Sequence, residues 1–188
     1  MLKLITPPAA LPVDLTEVKM HLRVTHDEED SLIVSYMAAA TARLDGAEGY
    51  LGRCLLPQTW EYTQARFSGP IRLPLPPCQS IDAITYTDTT GTAVVLDPAA
   101  YDVAGLGNGE GAIIYPLNGW PATASRPDAV KIRFTAGSDT VPEPIRTAIL
   151  ARVLHLYDNR DSVVIGESAH LMPLGEEDLI LNYRGWGF

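Results

Sequence analysis

The sequence contains no two consecutive basic residues, and basic side chains are scarce throughout. Its 188 residues include 14 Lys and Arg against 23 Asp and Glu, which gives a formal net charge of −9. Duplex DNA carries about one negative charge per 1.7 Å of its axis. The balance therefore excludes DNA binding by phosphate neutralisation, although it is compatible with a protein that lets DNA pass without adhering to it.

Cysteine and long apolar segments are scarce as well. Cys54 and Cys78 lie far apart and have no metal-ligand spacing, so we expect two reduced, semi-buried thiols, with a disulfide as the alternative. The start, Met1–Pro8, lacks the apolar region of a signal peptide. No apolar run approaches the roughly 20 residues that span a bilayer. We expect a protein that is made in a cytoplasm and stays there, or in a particle assembled there, without a membrane partner.

The residue patterns of catalysis and metal binding are missing too. None of the four histidines, at positions 21, 26, 155 and 170, pairs with a second type of ligand on a convincing helix face, so we interpret them as surface or partly buried side chains. There is no G-x-S-x-G motif for a hydrolase nucleophile. The acidic run Asp27–Asp30 lacks the alternation of a calcium loop and is more typical of a helix start.

The glycine-rich segment Gly105–Gly111 could suggest a phosphate loop. Phosphate loops follow a strand and open a helix, whereas this segment lies between two strand-like runs and has no Lys-Ser/Thr after it. It predicts a hairpin loop. The sequence therefore predicts no catalytic residue, no metal site and no cofactor.

Two helices are predicted near the start of the chain. Asp14 and Glu17 form a capping box for a first helix that ends near Val24. The acidic run then begins a second helix, whose apolar residues recur at helical spacing as far as Leu51, with Gly52 as the residue after its end. Its small-residue stretch, Ala38–Ala42, predicts close packing against more than one neighbour.

From about Pro57 the hydrophobic period changes to two, which predicts strands. The strand-like runs begin near Thr59 and continue at 71–73, 81–87, 93–96, 101–104, 112–115 and 129–135, with turn signals between them. Helix resumes after Gly137, with Thr140 and Glu143 at capping spacing and a buried stripe from Ile145 to Tyr157. A short last helix is predicted from Gly175 to Tyr183.

We therefore predict an α+β fold, because strands flanked by helices without β–α alternation argue against a parallel sheet. A helical core, made of the N-terminal helix pair and the long C-terminal helix, is interrupted by a small antiparallel β sandwich or barrel. The expected divisions are 1–56 for the first helical part, 57–137 for the β-unit, and 138–188 for the second helical part with its tail.

The chain resembles one known family over nearly its whole length. The resemblance is carried, in order, by Thr6-Pro7-Pro8, Pro12–Val24, Ser31-Leu32-Ile33, Gln58-Thr59-Trp60, Ile71–Pro74, Pro76-Pro77, Ser80-Ile81, Trp120-Pro121, Val130–Gly137, Val141–Arg146 and Tyr157–Arg160. In this order and spacing they resemble phage head–tail connector (adaptor) proteins. The homologous adaptors of gene transfer agents, which are phage-derived particles, resemble the chain equally well.

The resemblance implies a non-enzymatic subunit of a ring, commonly twelvefold, beneath the portal of a particle assembled in the bacterial cytoplasm. The ring would extend the DNA channel without specific DNA binding and would join the capsid to the stopper and tail proteins. Helices would pack between subunits, for which the candidates are Met37, Ala38, Ala40, Thr41 and Leu44. The C-terminal segment would dock on the portal.

The C-terminal tail supports this last expectation independently, because glycines deny Trp186 and Phe188 a regular element near the chain end, where aromatics need a surface to cover them. Folding back on the same subunit is the alternative. The candidate portal-docking residues are Leu179, Ile180, Tyr183, Trp186 and Phe188.

Two other functions remain open from the sequence. One is a carbohydrate- or host-binding module on the β-unit, with an aromatic platform of Trp60, Tyr62, Tyr86, Tyr101 and Trp120, although these residues are more simply explained as core. The other is a hydrolase that acts during packaging, which would require converging polar groups in a pocket.

Overall fold

The computed structural model describes residues 1–159 and 179–184. Its helices are α1 (Leu15–Leu22), α2 (Asp30–Ala42) and α3 (Glu143–Asp158), with short 3₁₀ turns at Pro98–Ala100 and Leu181–Tyr183. Its strands are β1 (Leu2–Thr6), β2 (Gln58–Gln64), β3 (Ile71–Arg72), β4 (Cys78–Thr87), β5 (Ala93–Val95), β6 (Tyr101–Ala104), β7 (Ile113–Pro116) and β8 (Val130–Ala136). Helices and antiparallel strands thus confirm the mixed α+β class.

The strands form two antiparallel sheets, one of five strands in the order β1-β2-β8-β4-β5 and one of three in the order β3-β7-β6. Strand β8 lies at the centre of the larger sheet, and its burial alternates as the sequence period requires: Val130, Ile132 and Phe134 are buried, whereas Lys131 and Arg133 are not. The two sheets share one hydrophobic cluster, which includes Ile114 and Phe134. Within the described residues, the sheets do not close into a barrel.

A second hydrophobic cluster holds the three helices together. Val18 of α1, Ile33 and Met37 of α2, and Ile145 and Ile149 of α3 are all 2% exposed or less. The predicted cap of α1 is confirmed, because Asp14 accepts a hydrogen bond from the Glu17 amide at 2.8 Å. In the described part of the chain, no helix combines the length and apolar character needed to cross a bilayer.

Strand β1 was not predicted from the sequence. This strand pairs with β2 and makes Leu2–Thr6 the edge of the larger sheet, so the N-terminal segment is not wholly helical. Only Leu2 is partly buried, and the other four residues are exposed. The segment therefore has none of the buried-exposed alternation by which a half-buried strand is recognised.

The other corrections concern helix ends. Helix α2 ends at Ala42 rather than near Leu51, so Gly52 does not cap it. Leu44 and Leu51 are nevertheless buried, because turns after the helix carry them into the same core. Helix α3 is preceded by Pro142 without a side-chain cap, so Thr140 does not cap it. The predicted last helix, in contrast, is confirmed where the structure describes it: residues 179–183 are helical, and residues 175–178 lie outside the described residues.

Candidate interaction surfaces

The predicted subunit-packing residues lie on two sides of α2, with Leu44 just after the end of the helix. Four of them, Met37, Ala40, Thr41 and Leu44, are buried in the helical core of the same chain. Ala38 is exposed, as are Val34 and other small residues of that side: Ser31, Ser35 and Ala42. The helical period thus gives α2 one side for its own core and one small-residue side that faces solvent.

The predicted portal-docking residues are also divided. Ile180 is 3% exposed and belongs to the helical core, against which Tyr183 also packs. Leu179 is 42% exposed, and Leu181, which the sequence analysis did not single out, is 55% exposed. Trp186 and Phe188 lie outside the described residues. Ile180 therefore anchors the segment to its own subunit, while Leu179 and Leu181 are available to a partner.

The loop between α2 and β2 is held in place by the carboxylate of Asp45. Its Oδ1 accepts a hydrogen bond from the Leu55 amide at 2.7 Å, and the Gln58 side-chain amide donates to its Oδ2 at 2.9 Å. The Oε1 of Gln58 in turn accepts a hydrogen bond from Trp60 Nε1 at 3.1 Å. This network gives the polar side-chain atoms of the buried Gln58 their hydrogen-bond partners. In the same loop, the Arg53 carbonyl accepts a hydrogen bond from the Gly46 amide at 2.8 Å, which fixes the backbone of Arg53.

Three arginines line one cavity at this end of α2, and we call it the arginine cavity. Its volume is about 820 Å³, and the lining includes Arg53, Arg72 and Arg184 together with an apolar wall of Leu2, Pro74 and Leu75. Among the described lining residues, Glu110 is the one acidic side chain. In an acidic protein, this cavity is a local concentration of positive charge.

The wall of the cavity contains a backbone outlier. Leu75 has φ of 61°, which is the left-handed region that a branched residue rarely adopts. Its side chain is only 4% exposed and belongs to the β-unit core, so burial offsets the strain.

Arg53 and Arg184 contact neutral groups of their own chain. Arg53 donates to the Tyr183 carbonyl at 3.3 Å, and the Arg184 guanidinium lies 4.9 Å from the Tyr50 ring centroid, a cation–π distance. Within residues 1–159 and 179–184, neither Arg53 nor Arg184 forms an ion pair. Burial lowers the pKa of the Arg53 guanidinium, since desolvation disfavours the charged form.

Acidic groups are concentrated before α2, in the segment Asp27–Asp30, which we call the acidic corner. Lys19 pairs with Asp27 at 2.5 Å and with Asp30 at 2.8 Å. The hydrogen bond from Lys19 lowers the pKa of the Asp27 carboxyl and raises that of the lysine. The Asp27 and Glu28 side chains are 90% and 80% exposed. The corner is also held by Tyr157, which donates to Glu29, and by His26, which lies 2.8 Å from Glu28 Oε2, but Asp27 and Glu28 still present carboxylates to solvent.

Histidine and cysteine side chains are the candidate metal ligands and nucleophiles of the described residues. No group of three His, Cys, Asp or Glu side chains among them is placed to hold a metal ion. His21, His26 and His155 are exposed, and His170 lies outside the described residues. Cys54 and Cys78 are buried free thiols, and burial raises the pKa of Cys78 to about 11.

The aromatic residues of the β-unit pack on its core. Trp60 is buried, and Tyr62, Tyr86, Tyr101 and Trp120 pack against the same cluster. The ring of Trp120 stacks on Phe67 with centroids 4.6 Å apart. Their burial is explained by the fold without a glycan ligand.

Comparison with known proteins agrees with this architecture. Residues 12–92 match the model of the phage gp6-like head-tail connector protein family. This segment runs from before α1 through α2 and β2 to the turn after β4, so it joins helical core and β-unit. The match confirms the resemblance to the connector family, on a segment that includes the acidic corner and two of the three cavity arginines.

Solved structures match the whole chain in fold. A chain of the neck of an empty gene transfer agent (GTA) particle, computed with C6 symmetry, has a TM-score of 0.78 at 22% identity, over 100% of this chain and 97% of that one. The virion of a native GTA particle gives 0.75 at 22%, and the neck of a native GTA particle with C12 symmetry gives 0.74 at 21%, with the same coverage of both chains. No curated protein matches the sequence significantly.

The connector resemblance did not reveal the arginine cavity. Its arginines lie at positions 53, 72 and 184, in three segments separated by many residues, so their spacing in the sequence does not predict that they share a site. A periodicity argument finds residues that share a helix face or a strand face, but it does not find residues that only the tertiary fold brings together.

Proposed function

We propose that this protein is a structural head–tail connector (adaptor) subunit of a phage or gene transfer agent particle, located at the head–tail interface. The observation that carries the proposal is the fold match over 100% of this chain and 97% of a GTA neck chain. The match to the connector family over residues 12–92 supports it independently through sequence.

In this proposal the chain acts by assembly and not by turnover. Copies form a ring beneath the portal, extend the DNA channel and offer a platform to the stopper and tail proteins. A ring requires head-to-tail contacts between two different surfaces of each copy. The exposed small-residue side of α2 around Ala38 is suited to close approach by a neighbour, and the C12 symmetry of one matched neck suggests twelve copies.

Docking on the portal is assigned to the C-terminal segment. Leu179 and Leu181 expose apolar side chains beside the buried anchor Ile180. Trp186 and Phe188 follow within eight residues of that anchor and are the aromatic candidates. Passing DNA would not adhere to the ring, since the chain carries a net charge of −9.

The test is removal of the gene from a host that produces the particle. We expect DNA-filled heads without tails in electron micrographs, and restoration of tailed particles by the wild-type gene. A second arm mixes purified chain with purified portal and measures the mass of the complex, which should correspond to a ring of copies. Normal tailed particles in the deletion strain, together with no association with portal, would refute the proposal.

A further inference from the structure

Two guanidinium groups of the arginine cavity have no counter-charge in the part of their own chain that the structure describes. Arg53 and Arg184 face the cavity without an ion-pair partner among residues 1–159 and 179–184. A guanidinium presents donors in a rigid fork that matches a carboxylate in two parallel hydrogen bonds. Arg53 and Arg184 together in one cavity wall therefore form a candidate anion site, and desolvation of Arg53 would be offset by a bound anion.

The wall of the cavity favours a peptide carboxylate over a nucleic-acid phosphate. Leu2, Pro74 and Leu75 give it an apolar side, against which the methylene groups and backbone of a peptide can pack. The surrounding molecule carries 23 acidic against 14 basic side chains, so it repels a phosphate backbone. A neighbouring copy can instead present an acidic segment to the cavity through protein contacts.

The acidic corner is such a segment, and it lies at the other end of α2. The corner immediately precedes α2, whereas Arg53 is fixed beside Gly46, after the helix has ended. Thirteen helical residues span about 20 Å. One copy therefore cannot place its own corner in its own cavity, but a head-to-tail contact brings the corner of one copy to the cavity of the next.

We propose that the arginine cavity binds the acidic corner of the neighbouring copy, with Glu28 and Asp27 as the carboxylates it receives. The inference rests on the proposed ring and names its subunit contact. Both carboxylates are largely exposed, and the side chains on which they sit are already directed away from the helical core. Each copy would contribute one corner and one cavity, which is what a closed ring requires.

Charge reversal tests the contact. Arg184→Glu and Glu28→Arg are each expected to weaken assembly on portal at least about tenfold, because like charges then meet at the interface. An equimolar mixture of the two single variants should assemble normally, since alternating copies pair every reversed charge with its complement. The double variant should also assemble. Arg66→Glu reverses an exposed arginine outside the cavity and should have no effect.

Arg53→Gln removes a positive charge from the cavity without reversing it, and should also weaken assembly on portal. Circular dichroism checks that each variant folds. Single variants that assemble like the wild type, or a mixture that fails to recover, would overturn the proposal. So would loss of duplex DNA retention in Arg184→Glu with subunit assembly intact, because the cavity would then hold nucleic acid.

A photo-crosslinking amino acid at position 28 separates this inference from the proposed function. In concentrated solution of the chain alone, crosslinks should connect position 28 of one copy to peptides that contain Arg53 or Arg184 of another. Crosslinks elsewhere overturn the contact even if portal binding is normal. Failure of the wild-type chain to bind portal, with these crosslinks present, overturns the connector role and leaves the contact standing.

Discussion

At the scale of single residues, Asp45 stabilises the junction between the helical core and the β-unit. Asp45→Ala would leave the Leu55 amide and the buried Gln58 side chain without their acceptor. We expect a loss of about 3 kcal/mol in the free energy of unfolding, measured by urea titration. Asp45→Asn keeps one acceptor oxygen and should lose less than half as much. Equal midpoints for wild type and Asp45→Ala would contradict this role.

Gly137 is the second residue on which the junction depends. A Cβ at this position would lie 2.1 Å from the Leu56 carbonyl oxygen, and φ is +116°. Gly91 also has positive φ, but a Cβ there meets nothing within 4 Å. We expect Gly91→Ala to cost about 1–2 kcal/mol of stability through conformation alone, and Gly137→Ala to cost at least twice as much. Similar thermal unfolding midpoints for the two variants would show that the close contact relaxes.

The buried thiols make a chemical prediction. The pKa of Cys78 is raised from 9.0 to about 11 by burial, and that of Cys54 is raised as well. Thiolate is therefore depleted in the folded state at neutral and mildly alkaline pH, and a disulfide-exchange reagent at pH 8 should modify both cysteines slowly. In urea both should react rapidly. Because the folded state holds the Cys78 proton more tightly than the unfolded state does, the protonated thiol contributes to the free energy of unfolding. This contribution is complete below pH 9 and is lost as the pH rises towards 11.

At the scale of secondary-structure elements, strands could be predicted where a single face is buried. The alternation in β8 is readable because Val130, Ile132 and Phe134 are buried and the residues between them are not. The end of α2 could not be predicted in this way. Leu44 and Leu51 are buried as a longer helix would require, but turns held by Tyr50–Arg43 and Leu51–Leu44 backbone hydrogen bonds bring them there. Periodicity reports burial, and it does not report the path of the backbone.

Strand β1 was not predicted because its exposed residues show no alternation of buried and exposed side chains. Its pairing with β2 depends on backbone hydrogen bonds and on Leu2, which packs on the β-unit core. Deletion of residues 1–6 should make β2 the sheet edge and speed hydrogen exchange of its β1-facing amides, whereas amides between β4 and β8 stay protected. Lys3→Ala, an exposed change within the strand, is the control. Unchanged exchange in β2 would mean that β1 contributes nothing to the sheet.

At the scale of the whole molecule, the basic cavity and the exposed apolar side chains lie in different parts of an acidic surface. In the proposed ring, the net charge of −9 would suit a wall past which DNA moves, and the arginines of the cavity would receive carboxylates of the next copy. Apolar side chains are exposed where the chain approaches its end, at Leu179 and Leu181. The tail residues are neighbours in the chain, so the sequence could indicate them, whereas the cavity arginines come together only in the fold and could not be predicted.

The last prediction concerns that tail. Truncation after Arg184 removes Trp186 and Phe188 and leaves the buried anchor Ile180 in place. Aromatic anchors commonly contribute at least about 2 kcal/mol each to an interface, so we expect portal affinity, measured by sedimentation, to fall at least about 30-fold. The urea midpoint should match that of the full chain. Leu117→Ala, a change at an exposed leucine of the β-unit, is the control. If the truncated chain binds portal and completes particles as the full chain does, portal docking lies elsewhere.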